Sequence, residues 1–388
     1  NEIGVFVSID RGDSWAQLKN NLPTVPVDDI VIHPRENDLV LGTHGRGIWI
    51  LDDITPLEEV SEAVLNADAH IFSARRTPMW RVARWQEWSP GTWRVSNPAP
   101  GARIYYYLKE DAPLPSPTVD TRRDDGGGRS GGRGGANQMP PSVPAIPPEP
   151  TVKLTVLDGN GGFVREFEGP GRAGVQTALW DFRIADAYAT TGGGFGGGRR
   201  GGGGGPRGPE VLPGTYTVRL EAGGQMTETT IEVVLDPRIQ VPMDVLRNRQ
   251  DAMMDAYNLA KPAYEARQAL AAINEQLNNM SRLLGDDSPD ALTTAFDDIN
   301  RDVREIQQSI QEAVTGAGGV NTIQSFAGEP TADQLWQIDQ SWMLLPGVID
   351  QINVVITDRM PGLIAMVYQP GVGPAPLDTI EIPTRSGR

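Results

Sequence analysis

Ser8-Ile9-Asp10-Arg11-Gly12-Asp13-Ser14-Trp15 matches the pattern S-x-D-x-G-x-[ST]-W at every fixed position. The residue types are those of a tight hairpin turn. The aspartate can accept hydrogen bonds from the backbone of its own turn. The glycine two residues later permits a positive φ. The closing tryptophan, Trp15, is expected to bury a large ring on the next strand.

Short strands flank this turn. An alternating pattern is under way from Ile3. Val27 to Ile32 reads as a strand closed by His33-Pro34, Asp38 to Thr43 as a second and Gly47 to Leu51 as a third. Short strands at this spacing fit one four-stranded blade. The octapeptide resembles the Asp box of sialidase-type (BNR) repeats. The run Leu22-Pro23, His33-Pro34 and Gly42-Thr43-His44-Gly45-Arg46-Gly47-Ile48-Trp49-Ile50-Leu51-Asp52-Asp53 resembles the closing blade of sortilin-like β-propellers. These occur in bacterial proteins often labelled glycosyl hydrolases. The resemblance covers residues 1–60 and implies the closing blades of a β-propeller. Such units need stacked neighbours, so an upstream segment of the same precursor or another chain is the expected partner. The opening Asn1-Glu2-Ile3, with no signal-peptide pattern, reads as the C-terminal part of a longer precursor.

No catalytic constellation emerges. A glycosidase needs two carboxylates across a cleft. Asp52 and Asp53 are adjacent, and neighbours on a strand point to opposite faces. They read instead as a degenerate Asp-box turn, one of them standing where Asp10 stands. Arg11-Gly12-Asp13 spells an adhesion tripeptide but lies inside the Asp box. With no Cys and three His, no thiolate or histidine-rich metal site is expected, and no cofactor.

Residues 61–100 form a connector in which Trp80, Trp85, Trp88 and Trp93 cluster with Arg76, Arg81, Arg84 and Arg94. The rings are either packing residues with cation–π partners or a platform for a carbohydrate ligand. Residues 101–237 carry six strand patterns: Ala102–Leu108, Val152–Leu157, Phe163–Phe167, Val175–Arg183, Thr215–Glu221 and Met226–Val234. The stretch Leu157-Asp158-Gly159, Val164-Arg165, Trp180-Asp181 and Leu212-Pro213-Gly214-Thr215-Tyr216 resembles the Ig-like domain of flagellar hook-capping proteins. That implies a β-sandwich and no particular activity. Gly-rich inserts at 124–150 and 191–209 interrupt it. Their Arg-Gly-Gly character suggests RNA, but the net charge of −16 argues against nucleic acid. If ordered, they point to a neighbouring subunit or to the propeller.

From Pro242 the apolar period becomes helical. Residues 242–370 are expected to form an antiparallel helical bundle. A first helix over 243–284 is expected to kink or break at Pro262. A second starts at Ser288-Pro289 and stops at Gly316. A third is capped by Thr331, and a fourth runs from Gly347 to Met366. Between 242 and 360 lie 18 acidic and 8 basic residues. Asp286, Asp287 and Asp290 lack the spacing of a calcium loop. Residues 371–388 read as an extended tail on a partner or on its own domain. No 18-residue uncharged apolar run exists, so no transmembrane segment is expected.

The fold class is thus multidomain β plus α: the last blade or blades of a β-propeller, an Ig-like β-sandwich and a C-terminal helical bundle. The expected function is an exported, periplasmic or extracellular non-catalytic binding or assembly protein. It contacts its own propeller or neighbouring subunits, with homo-oligomers and a carbohydrate or peptide ligand as further partners. The alternative is a glycoside hydrolase, like a sialidase or xyloglucanase, whose catalytic residues lie in upstream blades. A receptor binding peptide inside a propeller tunnel is a third class.

Overall fold

The computed structural model describes residues 2–19, 21–80, 99–114, 149–188, 207–285, 288–368 and 373–385. The expectations for Trp85, Trp88 and Trp93, for Asp286 and Asp287, and for most of the two Gly-rich inserts lie outside these residues. The protein has a mixed β plus α architecture. It divides into two compact units: Asn1–Thr77, Glu87–Asp181 and Gly214–Val234 in one, Pro78–Gln86, Phe182–Pro213 and Leu235–Arg388 in the other.

In the first unit, β1 (Val5–Val7) and β2 (Ala16–Leu18) pair across the 8–15 turn. The strands β3 (Val27–Ile32), β4 (Leu39–Thr43) and β5 (Ile48–Leu51) form an antiparallel meander. Val5, Val27, Leu39, Leu41 and Ile54 bury together beneath these strands. Two short helices follow, α1 (Thr55–Glu59) and α2 (Glu62–Asn66), the second capped by the Ser61 hydroxyl accepting from Val64 N–H. Next come β6 (Ala69–Ile71) and β7 (Thr77–Met79), within which the chain leaves this unit. The start of the connector therefore has more regular structure than its sequence suggests. Ala69 and Ile71 are buried, and β6 finds a strand partner far along the chain.

The remaining strands are β8 (Ala102–Leu108), β9 (Thr151–Leu157), β10 (Phe163–Pro170), β11 (Gly174–Trp180), β12 (Gly214–Ala222) and β13 (Gln225–Leu235). One sheet has the order β11-β8-β6, and a second places β10-β9-β12-β13 side by side. Alternate residues of β8 and β12 are buried, among them Ile104, Tyr106, Val218 and Leu220, as a one-sided sheet requires. The buried faces meet: the Trp180 and Tyr216 rings lie edge to face at 5.1 Å. Tyr106 Oη donates to the Pro170 carbonyl at 2.6 Å. The strand expected over 175–183 ends at Trp180, because Phe182 turns the backbone to φ +60°.

The second unit holds α3 (Met243–Ser281), α4 (Asp290–Ala313), a 3₁₀ turn (Thr315–Gly318), α5 (Gly319–Gln324), α6 (Ala332–Val354), a π-helical turn (Val355–Arg359) and α7 (Met360–Val367). One apolar core joins them, with Met253, Leu259, Ile273, Ile338, Leu345 and Ile349 fully buried. Several helix limits differ from expectation. Pro262 does not end α3, although an interior proline costs about 3 kcal/mol. Burial of Leu259, Ala263 and Ala266 around it outweighs the lost bond. Pro346-Gly347 likewise leaves α6 unbroken, so the expected third and fourth helices are one, and the real irregularity is the π turn after it. Ser288 does not cap α4; its hydroxyl accepts from Gly285 N–H at 3.0 Å. Gly316 lies inside the 3₁₀ turn rather than ending a helix. Thr331 does cap α6, in a reciprocal capping box with Gln334. Residues 373–385 run without helix or strand along the same unit.

Candidate functional site

The 8–15 turn closes on Asp10. Its Oδ1 accepts from Ser14 N–H at 2.9 Å and from the Ser8 hydroxyl at 2.7 Å, and the Ser14 hydroxyl donates to Oδ2. The Ser8 hydroxyl in turn accepts from Gly12 N–H at 2.7 Å. Bonding from Ser14, and then from Ser8, holds the Asp10 carboxyl well below the usual carboxylate range. Arg11 and Gly12 both take positive φ, +62° and +103°. The glycine at position 12 is thereby explained, since a Cβ at φ +103° is strained. Trp15 departs from expectation. It stands just outside β2, its Nε1 donates to the Gly12 carbonyl at 3.1 Å, and 64 % of its surface is exposed. The ring is tied to its own turn, and nothing in the described residues covers it enough to bury it.

A second turn repeats this device between β4 and β5. Trp49 Nε1 donates to the Arg46 carbonyl at 3.1 Å, with Gly45 and Gly47 at positive φ. The Thr43 hydroxyl donates to the Gly47 carbonyl at 2.6 Å. This turn, at residues 43–49, precedes Asp52 and Asp53, and neither carboxylate takes part in it. Asp52 pairs with Arg103. Asp53, at φ +53°, accepts from the Thr55 hydroxyl at 2.6 Å and opens α1. Its own N–H donates to Asp38 at 3.0 Å. Both carboxylates are thus engaged in joining elements of this unit. His33, read from the sequence as a strand-end residue, accepts at Nδ1 from Glu36 N–H at 3.1 Å in the β3–β4 turn.

The β3–β5 sheet carries apolar residues on both faces, with Asp29 and Gly42 also on the first. Cross-strand pairing puts Val31, Val40 and Ile50 in one row, with Ile48 in the next row of the same face. Leu39, Leu41, Trp49 and Leu51 occupy the opposite face and pack on the buried core, whereas Ile30 and Ile32 of β3 on that face stay about half exposed. The first face is uncovered: Val31 is 51 %, Ile50 59 % and Ile48 74 % exposed. Exposed contiguous apolar surface of this kind marks an interaction site. Strands apolar on both faces are those that are covered on both faces.

Trp80 is the described member of the tryptophan cluster. The Arg238 guanidinium lies 5.6 Å from its ring centroid, within cation–π range. Among the described residues, no group of three His, Asp or Glu side chains is placed to hold a metal ion. No helix among them is long and apolar enough to cross a membrane. Within the second unit a cavity of about 520 Å³ opens beside the π turn, lined by Ile356, Met360, Ile364, Tyr368, Pro374 and Leu377. Comparison with protein-family models, with curated proteins and with solved structures finds no match for this chain.

Proposed function

We propose that this chain is the C-terminal portion of a sortilin-like, Asp-box β-propeller protein, and that it serves as an exported, non-catalytic binding and assembly module. On this reading β1–β5 belong to the closing blades. The facing sheets β6–β8–β11 and β10–β9–β12–β13 are an Ig-like sandwich, and α3–α7 a helical bundle. The observation that carries the proposal is the uncovered apolar face of β3–β5, beside two turns that share one tryptophan hydrogen bond. A blade presents such a face because its neighbours in the ring cover it. Export rests on the family resemblance, with which the low lysine content agrees. Non-catalytic action is supported by the structural engagement of Asp10, Asp52 and Asp53.

The test compares residues 1–388 with the complete gene product by hydrogen exchange. Amides of β3 and β5 should exchange markedly more slowly in the longer protein, and Ile48→Lys with Ile50→Lys should destabilise that protein while hardly affecting residues 1–388. Equal exchange in both, with no effect of the lysines in either, overturns the propeller reading. Hydrolysis of an aryl glycoside by the longer product, lost on mutating carboxylates outside this chain, would replace non-catalytic binding by the glycosidase alternative.

A further inference from the structure

The segment 373–385 lies on the helical unit as an extended strap, held at spaced points. Gln276 Nε2 on α3 donates to the Ala375 carbonyl at 3.2 Å. Asn353 on α6 grips Ile380 by its backbone. Its Nδ2 donates to the Ile380 carbonyl and its Oδ1 accepts from the Ile380 N–H, both at 2.8 Å. The Ile380 side chain is buried in the helical core, and Leu377 packs on the same core. Five residues on, Arg385 Nη2 lies 2.7 Å from Asp255 Oδ2 on α3 and 2.7 Å from Asp339 Oδ1 on α6. Its guanidinium carbon is 6.0 Å from the Trp342 ring centroid.

This is how a groove recognises an extended peptide. Side-chain amides bond the backbone whatever its sequence, and separate pockets select the side chains. The arginine pocket is built for a cation. Both carboxylate oxygens lie 2.7 Å from one nitrogen, so they are less than 5.4 Å apart. Two like charges that close repel each other, and a guanidinium relieves the repulsion while stacking on the indole. Strand pairing plays no part in holding residues 373–385.

We propose that the groove between α3 and α6 is a peptide-recognition site. Its ligand is the extended segment Leu377–Arg385, bound in cis by each chain and exchangeable in trans with the segment of a second copy. The partner is a second copy because the groove's three selective features, for Leu377, Ile380 and Arg385, are matched by a segment that every copy carries. This site stands whether or not residues 1–60 belong to a propeller. In the wild type the segment is tethered close to the groove, so its effective concentration there is high, about millimolar, and the chain stays closed on itself.

The experiment uses complementary full-length variants. Arg385→Glu spoils the strap and leaves the groove intact, whereas Asp255→Asn with Asp339→Asn weakens the groove and leaves the strap intact. Each alone should be monomeric by light scattering. Mixed, they should form a heterodimer in which the good strap of one occupies the good groove of the other. A synthetic peptide spanning residues 373–385 should bind the Arg385→Glu chain at least about tenfold more tightly than wild type. The same peptide with alanine at its arginine should not bind. Absence of both the heterodimer and the preferential peptide binding overturns the proposal. Exchange of the Ile380 amide reports whether the variant strap is released. If Arg385→Glu leaves that exchange unchanged, the measurement is repeated with Asn353→Ala added. Protection that survives both changes makes the segment a permanent part of the core and equally overturns the proposal.

Discussion

Trp15 and Trp49 make the same hydrogen bond: each indole N–H donates at 3.1 Å to the carbonyl three residues before it, Gly12 and Arg46 respectively. The two turns differ in the side chain that locks them. The first is locked by the Asp10 carboxylate, and the second by the Thr43 hydroxyl. The rings also differ in surroundings, since Trp49 packs against the small core of Val5, Val27, Leu39 and Leu41, whereas Trp15 stands in solvent.

That contrast sets the cost of losing each ring. Trp15→Ala should change the stability of residues 1–388 by no more than about 0.5 kcal/mol, as for an exposed side chain. Trp49→Ala removes packing as well as the bond and should cost about 2 kcal/mol or more. Urea midpoints followed through a probe in the first unit measure both. Equal costs would show that the two turns are equivalent in packing, against the structure.

Asp10 offers a pH signature. Its carboxyl is held below the ordinary value of 3.8 by bonds from Ser14 and Ser8. A depressed folded pKa gives stability that is present above the unfolded value and is lost as pH falls through the folded one. Acidification below the ordinary carboxylate range should therefore loosen the 8–15 turn, and Asp10→Asn should abolish that pH dependence. Carboxyl chemical shifts against pH provide the measurement. An Asp10 titration at the ordinary value would contradict the hydrogen bonding described.

The turn was legible in the sequence because its determinants are local. Ser8, Asp10, Gly12 and Ser14 contact one another within a few residues, so their spacing encodes their geometry. Strand and helix types were legible for the same reason, through hydrophobic period. What periodicity does not contain is tertiary context. Trp15 carries the motif but not its environment. Pro262 reads as a kink or break because propensity counts the lost hydrogen bond and not the buried leucine and alanines beside it. The pairing of β6 with β8 and the grip of Asn353 on Ile380 join distant parts of the chain, and no spacing announces them. The 43–49 turn carries no aspartate, and its glycines, threonine and indole form a bonded turn that no aspartate-centred pattern reveals.

The two facing sheets predict an alkaline transition. Burial, with the Asp158 charge adding to it, pushes the Tyr216 phenol up to about 12, and burial alone raises Tyr106 further. A raised folded pKa gives stability that is complete below the unfolded value near 10 and lost as pH rises through the folded one. Phenolate absorbance should show exposed tyrosines ionising first. Tyr106 and Tyr216 should ionise together with cooperative unfolding of their unit. Ionisation of all eight tyrosines near pH 10, with the fold intact, would contradict the buried positions.

In the helical unit the 3₁₀ turn packs closely against α6. Ser341, fully buried, accepts from Gly316 N–H at 2.8 Å. A Cβ on Gly316 would stand 2.5 Å from the Gln337 carbonyl oxygen and 2.7 Å from the Ile338 Cα, both backbone atoms that no rotamer change can clear. Gly316→Ala must therefore push the turn away from α6, at about 1–3 kcal/mol for an overpacked site. Ser341→Ala leaves the backbone in place but strands a buried N–H, which also costs about 1–3 kcal/mol. The two changes strike one contact, so the double variant should cost clearly less than the sum of the singles. Thermal or urea denaturation of the four proteins completes the cycle. Strict additivity would mean that the turn and α6 are not coupled through this hydrogen bond.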